Sequence, residues 1–294
     1  MLIGPTESEI NSLITAEPEN PPDVVDDFDQ QDEAKAIMDM PVYLDKVEKR
    51  CNTYKMTQIA HTRPGKKLLV LDIDYTIFDH ISTAQTASLL ARPHLREFLT
   101  RAYRFYDIAI WSATSMNWIV TKLFEIGVLS ASDSALVKRM MTDDKIKPDL
   151  DAKPSTDLPF QVFCLVDSRA MISVHLESIG VKEVKPLAVI WHNFSQFGPH
   201  NTIMFDDIRR NFIMNPKCGL RIHSYRDAPI NCEKDKELLK LADYVEIIAE
   251  KVDNFEKLNH NRWERYLDKN ARRIIDESGV VIYNEQPSEK RSRP

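Results

Sequence analysis

A chain of 294 residues, 43% apolar and 29% charged, is long enough for one large domain or two ordinary ones, and it shows neither a run near the roughly 18 apolar residues of a membrane span nor the pattern of a secretory leader. Its net charge of −6 is uneven: residues 1–50 carry 13 acidic and 4 basic side chains, so −9, and the remaining 244 carry +3, which argues against direct nucleic-acid binding but suits a phosphorylated ligand on the body. Four cysteines without a CxxC pair exclude a zinc site or disulfide frame and fit reduced intracellular thiols, and seven scattered glycines exclude both glycine-rich phosphate loops.

Residues 1–40, with Pro18, Pro21, Pro22 and the acidic DVVDDFDQQDE, are expected to be a flexible linker. The spacing predicts a helix within 41–60, with Pro41 in its first turn. KLLVLDI is a strand. RPHLREFLTRAYRFY is an amphipathic helix with Leu95, Phe98, Leu99, Ala102 and Tyr106 on one face. DIAIWS is a second buried strand, and SMNWIVTKLFEIG a second helix stopped by Gly127. Residues 130–159 are polar and dotted with prolines, and are expected to be a mobile insertion. QVFCLVD and AMISVHL are expected to pair as a hairpin, and KPLAVIW to be extended. NTIMFDD is a third clear strand. DKELLKLADYVEIIAEK is a strong helix, a last helix carries Phe255, Trp263, Tyr266 and Leu267, and 286–294 is a tail. Alternating buried strands and helices predict an α/β fold, a parallel sheet covered on both faces, with the domain spanning 41–285.

In such a sheet ligands bind beyond the carboxyl ends of the strands. That rule places Asp72, Asp74, Ser112, Asp206 and Asp207 at one edge, because each ends an apolar run. Asp72 and Asp74, two apart on a strand, point to the same side. Four converging carboxylates call for a hard cation with oxygen ligands, and Mg²⁺ takes carboxylates, waters and a substrate phosphate. Ser112 and Lys185 supply a hydroxyl and an ammonium, which with Mg²⁺ make a phosphoryl cradle. Asp72 could then attack phosphorus to form an aspartyl-phosphate, with Asp74 moving the proton. Taken singly, each residue has a plainer reading: a strand end, a cap of the next helix for Ser112, a solvated lysine for Lys185. Arg92 could reach the phosphate or merely start its helix. Trp263 and Tyr266 suit helix packing better than base stacking. Only 17 residues separate Asp74 from Arg92, too few for a capping domain. An open site favours a phosphate displayed on a protein.

The order D-x-D-x-T (Asp72, Asp74, Thr76), then Ser112, then Lys185, then Asp206–Asp207 resembles the four motifs of the haloacid dehalogenase superfamily over about 66–270, and implies its Rossmann-like sheet with a β-hairpin insertion and C-terminal helices. LDIDYTIFDH, RPHLREFL, VKPLAVIW and NTIMFDDIRRNFIMNP further resemble the FCP/SCP branch, Mg²⁺-dependent protein serine/threonine phosphatases, and within it the members that carry a ubiquitin-like domain. The resemblance implies Asp72 as nucleophile and Asp74 as acid/base. It implies Mg²⁺ held by Asp72, the Asp74 carbonyl and Asp207, with Asp206 in support, and Ser112 and Lys185 on the phosphate. It also implies phosphoserine or phosphothreonine substrates on the RNA polymerase II CTD or the 26S proteasome, nuclear location, and proteasome docking through the ubiquitin-like domain, which is expected to be missing here. The alternative is a phosphatase fold that only binds phosphoproteins.

Overall fold

The computed structural model describes residues 37–143, 145–151, 157–177 and 179–278, with side chains to 270. The expected acidic linker up to residue 36 and the expected tail lie outside them. A first helix, α1 (Pro41–Thr53), begins on a proline as expected and leads to the short strand β1 (Thr57–Gln58). The central strand β2 (Lys67–Leu71) reads KLLVL, and Leu68 to Leu71 are all fully buried. Successive side chains alternate between two apolar layers. Leu69 and Leu71 join one and Leu68 and Val70 the other, so the strand is apolar throughout rather than every second residue.

The next segment is α2 (Leu95–Tyr103), which buries Leu95, Phe98, Leu99 and Ala102 at helical spacing. Tyr106, expected on that helix, instead opens β3 (Tyr106–Trp111), because the chain leaves the helix at Arg104. Helix α3 (Met116–Glu125) ends at Gly127, whose φ of +73° is available to glycine without strain. The following amide, Val128 N, donates back to Leu123 O at 2.8 Å, closing the helix end.

Residues 130–159 depart from the expected mobile insertion. They contain α4 (Ala131–Thr142), started by Ser130, whose hydroxyl accepts from Asp133 N at 3.1 Å and anchored by buried Val137. The S-x-x-D cap was readable in the sequence; the polarity of the segment obscured it.

The expected hairpin is also corrected. β4 (Val162–Val166) is buried at every position and pairs parallel with β3. The hairpin is formed by β5 (Ile172–Leu176), whose residues alternate between buried and open, and β6 (Gly180–Val184), which buries only Val184, with Leu176 opposite Gly180. KPLAVIW is not extended. After Lys185 the chain enters α5 (Ala188–Asn193), with Pro186 O accepting from Val189 N at 3.1 Å. A proline in the opening turn has no amide to waste and favours the turn that follows.

Strands β7 (Thr202–Asp206) and β8 (Gly219–Arg221) complete a six-stranded sheet of order β1-β4-β3-β2-β7-β8, parallel except for β1 against β4. The short α6 (Ala228–Asn231) precedes α7 (Glu237–Lys251), which packs on α2. The single last helix expected from Phe255 is broken. Asn254 and Asn259 each turn a side-chain oxygen to an amide two residues on, making two 3₁₀ turns before α8 (Trp263–Ser278). Residues 75–91 hold turns, bends, a 3₁₀ turn at Ala87–Leu90 and single bridges at Phe78 and Ala91, so no capping domain stands between β2 and α2. Among the described residues no helix is long and apolar enough to cross a membrane.

Candidate active site

β2 lies between β3 and β7, so its carboxyl end opens at the centre of the sheet. Asp72 is the first residue beyond it, held by its amide donating to Phe205 O at 3.0 Å. The chain then folds back at once. The amides of Thr76, Ile77 and Phe78 all converge on Ile73 O, at 3.2, 3.0 and 3.1 Å, and Tyr75 takes a left-handed φ of +58°. A tyrosine in that region is strained. The turn returns Thr76 to the strand end, where its hydroxyl donates to Asp72 Oδ2 at 3.1 Å.

The neighbouring elements deliver the rest. Ser112 follows β3, fully buried, its amide on Val166 O at 3.1 Å and its hydroxyl 3.1 Å from Thr114 Oγ1. Lys185 follows β6 and is 0% exposed. Its ammonium donates to Asp72 Oδ1 at 2.5 Å, Asp206 Oδ2 at 2.7 Å and Trp111 O at 3.1 Å. All three of its protons are thus used. Asp206 ends β7. Its Oδ1 accepts from Ile208 N at 2.9 Å and its two oxygens from Asn211 Nδ2, each at 2.8 Å. Asp207 accepts from Ser224 Oγ at 2.7 Å on Oδ2. Asp72, Asp206 and Asp207 each bring a carboxylate oxygen into a cluster no wider than 4.8 Å. The predicted set therefore meets at one sheet edge.

The charges explain the arrangement. Burial pushes Asp72 well above the usual carboxylate range; Lys185 opposes that push, and Asp206 and Asp207 add to it. Burial, then Asp206, pushes Asp207 up to about 6. Burial works against the Lys185 charge, but Asp206 and Asp72 more than offset it and hold the ammonium above its ordinary range. The sequence reading expected the carboxylates to be unrelieved until Mg²⁺ arrives. The structure corrects this: a resident cation already lies between Asp72 and Asp206. Three carboxylates against one ammonium still leave a negative cluster of hard oxygens, a donor set that fits a divalent ion. Asp206 has its acceptor positions filled, while Asp207 Oδ1 has no donor among the described residues.

Asp74 stands apart from that cluster. Its side chain is 22% exposed and its Oδ1, though buried, has no hydrogen-bond partner among the described residues; His80 Nδ1 is 3.7 Å away. Burial raises its carboxyl, and His80 is the largest opposing charge. A carboxyl lifted in this way and partly exposed is suited to proton transfer.

Arg92 proves structural. It is 2% exposed and grips Asp235 at 2.8 Å, Glu237 at 3.1 Å, Thr76 O at 3.1 Å and His223 O at 2.9 Å. Trp263 and Tyr266 pack around Tyr244, as expected. Sequence reading missed Asn211, Ser224 and His80. Asn211 had a faint signal, five residues after Asp206; Ser224 had none, since only the fold brings it to Asp207.

The profile of the NLI interacting factor-like phosphatase family matches residues 67–256. Ubiquitin-like domain-containing CTD phosphatase 1 of Drosophila melanogaster is 47% identical over 270 residues, 92% of this chain and 76% of that protein. The Homo sapiens protein of the same name is 46% identical over the same shares. The solved fission yeast RNA polymerase II CTD phosphatase Fcp1 covers 79% of this chain and 69% of its own, with a TM-score of 0.35 and 11% identity, too distant for residue-level equivalence. With nearly half of its residues shared along most of its length, and the family profile matching residues 67–256, the chain belongs to the ubiquitin-like domain-containing CTD phosphatases, protein phosphatases of the NLI interacting factor-like family.

Proposed function

We propose that this protein is a Mg²⁺-dependent phosphatase of phosphoserine and phosphothreonine that works through an aspartyl-phosphate on Asp72. The observation that carries the proposal is the division between two carboxylates two residues apart. Burial raises both, but Asp72 is buried and held by Lys185 and Thr76, whereas Asp74 is partly open and unpaired at Oδ1. Asp72 attacks phosphorus as the bond to the serine or threonine oxygen breaks, and that oxygen leaves with the proton of Asp74. Asp74 then takes a proton from water, the water oxygen attacks phosphorus, and the bond to Asp72 breaks, releasing inorganic phosphate. Ser112 donates to a transferred phosphoryl oxygen, and Lys185, whose protons lie on Asp72, Asp206 and Trp111 O, shifts a proton to the phosphoryl group or supports it by its charge.

Asp72, Asp207 and the Asp74 carbonyl would hold Mg²⁺, with Asp206 anchoring Lys185; the full acceptor shell of Asp206 and the open Oδ1 of Asp207 support that order. When bound, the ion neutralises charge on the phosphoryl oxygens. The relatives are named CTD phosphatases. We propose the RNA polymerase II CTD and the nuclear 26S proteasome as the targets, the latter on the sequence resemblance.

The test is hydrolysis of p-nitrophenyl phosphate and of phosphoserine peptides with Mg²⁺ and with EDTA, by wild type and Asp72→Asn. Mg²⁺-dependent turnover lost in Asp72→Asn is expected. Undiminished Asp72→Asn overturns the mechanism, and no turnover leaves a phosphoprotein-binding adaptor.

A further inference from the structure

Beyond the reaction centre, the open turn after Asp74 carries a row of groups that the chemistry does not use. His80 Nδ1 lies 3.7 Å from Asp74 Oδ1, the His80 ring 4.5 Å from that of Tyr75, and the Arg226 guanidinium 3.8 Å from the centre of the Tyr75 ring. The row leads from the proposed proton donor to a planar cation at the rim.

Arg226 is half-buried, and no carboxylate among the described residues pairs with it. Neither Asp79 nor Asp207 makes an ion pair with it among the described residues. Asp79 accepts from the amides of Ile81, Ser82 and Ala228, and Asp207 from Ser224. Its charge is nevertheless felt at the site, since it is among those opposing the rise of Asp207.

The segment that carries it is fastened to the catalytic turn. Tyr225 N donates to Tyr75 O at 2.7 Å, Ala228 N to Asp79 Oδ2 at 2.9 Å, and Asn231 Nδ2 to Arg226 O at 2.7 Å. Arg92 holds His223 O, two residues upstream of Tyr225. Two residues with left-handed backbone, Tyr75 at φ +58° and Asp227 at +52°, flank the arrangement. Such strain persists only where the surroundings over-determine it. A stacked guanidinium keeps its in-plane donors free, and that edge matches a carboxylate or phosphate in two parallel hydrogen bonds.

We infer that Arg226, braced on Tyr75, is a specificity-determining residue that binds an anionic side chain, carboxylate or phosphate, flanking the phosphoresidue under attack. This rests on the phosphatase reading above. A lysine in its place keeps the charge but loses the planar edge, so it recovers the preference only in part.

The test compares kcat/KM for two phosphoserine peptides that differ only in flanking glutamates against alanines, with Mg²⁺, for wild type, Arg226→Lys, Arg226→Ala and Arg226→Glu. Wild type is expected to favour the acidic peptide about tenfold, a difference of roughly 1.4 kcal/mol as for one charge-assisted contact. The ratio falls in Arg226→Lys, approaches one in Arg226→Ala and inverts in Arg226→Glu. Because the readout is a ratio within each enzyme, lower overall activity of a variant does not mask it. A second pair with a flanking phosphoserine separates the anion types: a larger ratio than glutamate gives assigns the site to phosphate. Turnover of both peptides at equal kcat/KM by wild type, or a ratio unmoved in Arg226→Ala and Arg226→Glu, overturns this inference alone. No turnover of either peptide by wild type overturns the phosphatase reading and this inference with it.

Discussion

Replacing Lys185 by methionine removes the resident cation while keeping the bulk of the side chain. The ammonium is fully buried and donates to Asp72 at 2.5 Å, Asp206 at 2.7 Å and Trp111 O at 3.1 Å. Removing one partner of a buried ionic cluster leaves the others uncompensated, which costs about 3–5 kcal/mol. For a domain of this size each kcal/mol moves Tm by about 2–4 °C, so Lys185→Met is expected to melt roughly 6–20 °C lower in EDTA. The cluster then needs a cation from outside. Millimolar Mg²⁺ should stabilise Lys185→Met by more than it stabilises wild type. Denaturant melts of both proteins, with EDTA and with Mg²⁺, measure the four quantities. The double variant Lys185→Met/Asp206→Asn should be less destabilised than the sum of the single ones, because the two losses share one interaction. A Lys185→Met protein within about 1 kcal/mol of wild type in EDTA would refute the reasoning, since Lys185 would then contribute nothing to holding the carboxylates.

Two further outcomes follow from other parts of the fold. A Cβ on Gly219 would lie 2.1 Å from Phe212 Cγ, and Phe212 adjoins Asn211, which holds Asp206. Gly219→Ala should therefore cost about 1–3 kcal/mol in a denaturant melt and lower activity through that displacement; wild-type stability would mean that Phe212 can move freely. Burial lowers the imidazole of His260 to about 4, with Tyr244 Oη at 2.7 Å from Nδ1. The unfolded chain, near its ordinary 6.5, then binds the proton that the folded one refuses. Stability is thus full above pH 6.5 and declines as pH falls toward 4, by up to about 3 kcal/mol for this group. His260→Gln should flatten that part of the curve, and an unchanged slope would assign the acid sensitivity to other groups.

The site was more legible than the frame around it. Asp72, Asp74 and Asp206 betray themselves because a carboxylate at the end of a fully apolar strand is unusual, and the strand rule then brings them to one edge. Lys185 was harder, because nothing local marks it. Its role comes from the 2.5 Å approach to a residue 113 positions earlier, which only the fold creates. The hairpin was misplaced because VFCLV and ISVHL are both apolar. The apolar–polar alternation of ISVHL, against the unbroken apolar run of VFCLV, marked it as the hairpin strand. KPLAVIW looked extended from its β-branched residues, but Pro186 and the packing of Val189 and Ile190 against the sheet decide for helix. Propensity is a weak guide where tertiary packing decides. Ser224 lay beyond any local reading, since Asp207 is 17 residues away.

The most direct measurement is the site of phosphorylation itself. Asp74→Asn should still form the aspartyl-phosphate from p-nitrophenyl phosphate, whose leaving group needs little proton assistance, but hydrolyse it slowly. Acid-quenched, Mg²⁺-loaded Asp74→Asn should therefore yield a peptide carrying one phosphoryl group on Asp72 by mass spectrometry. A phosphoryl group on a different residue, or turnover by wild type with no phosphorylated Asp72 in either protein, would contradict the account.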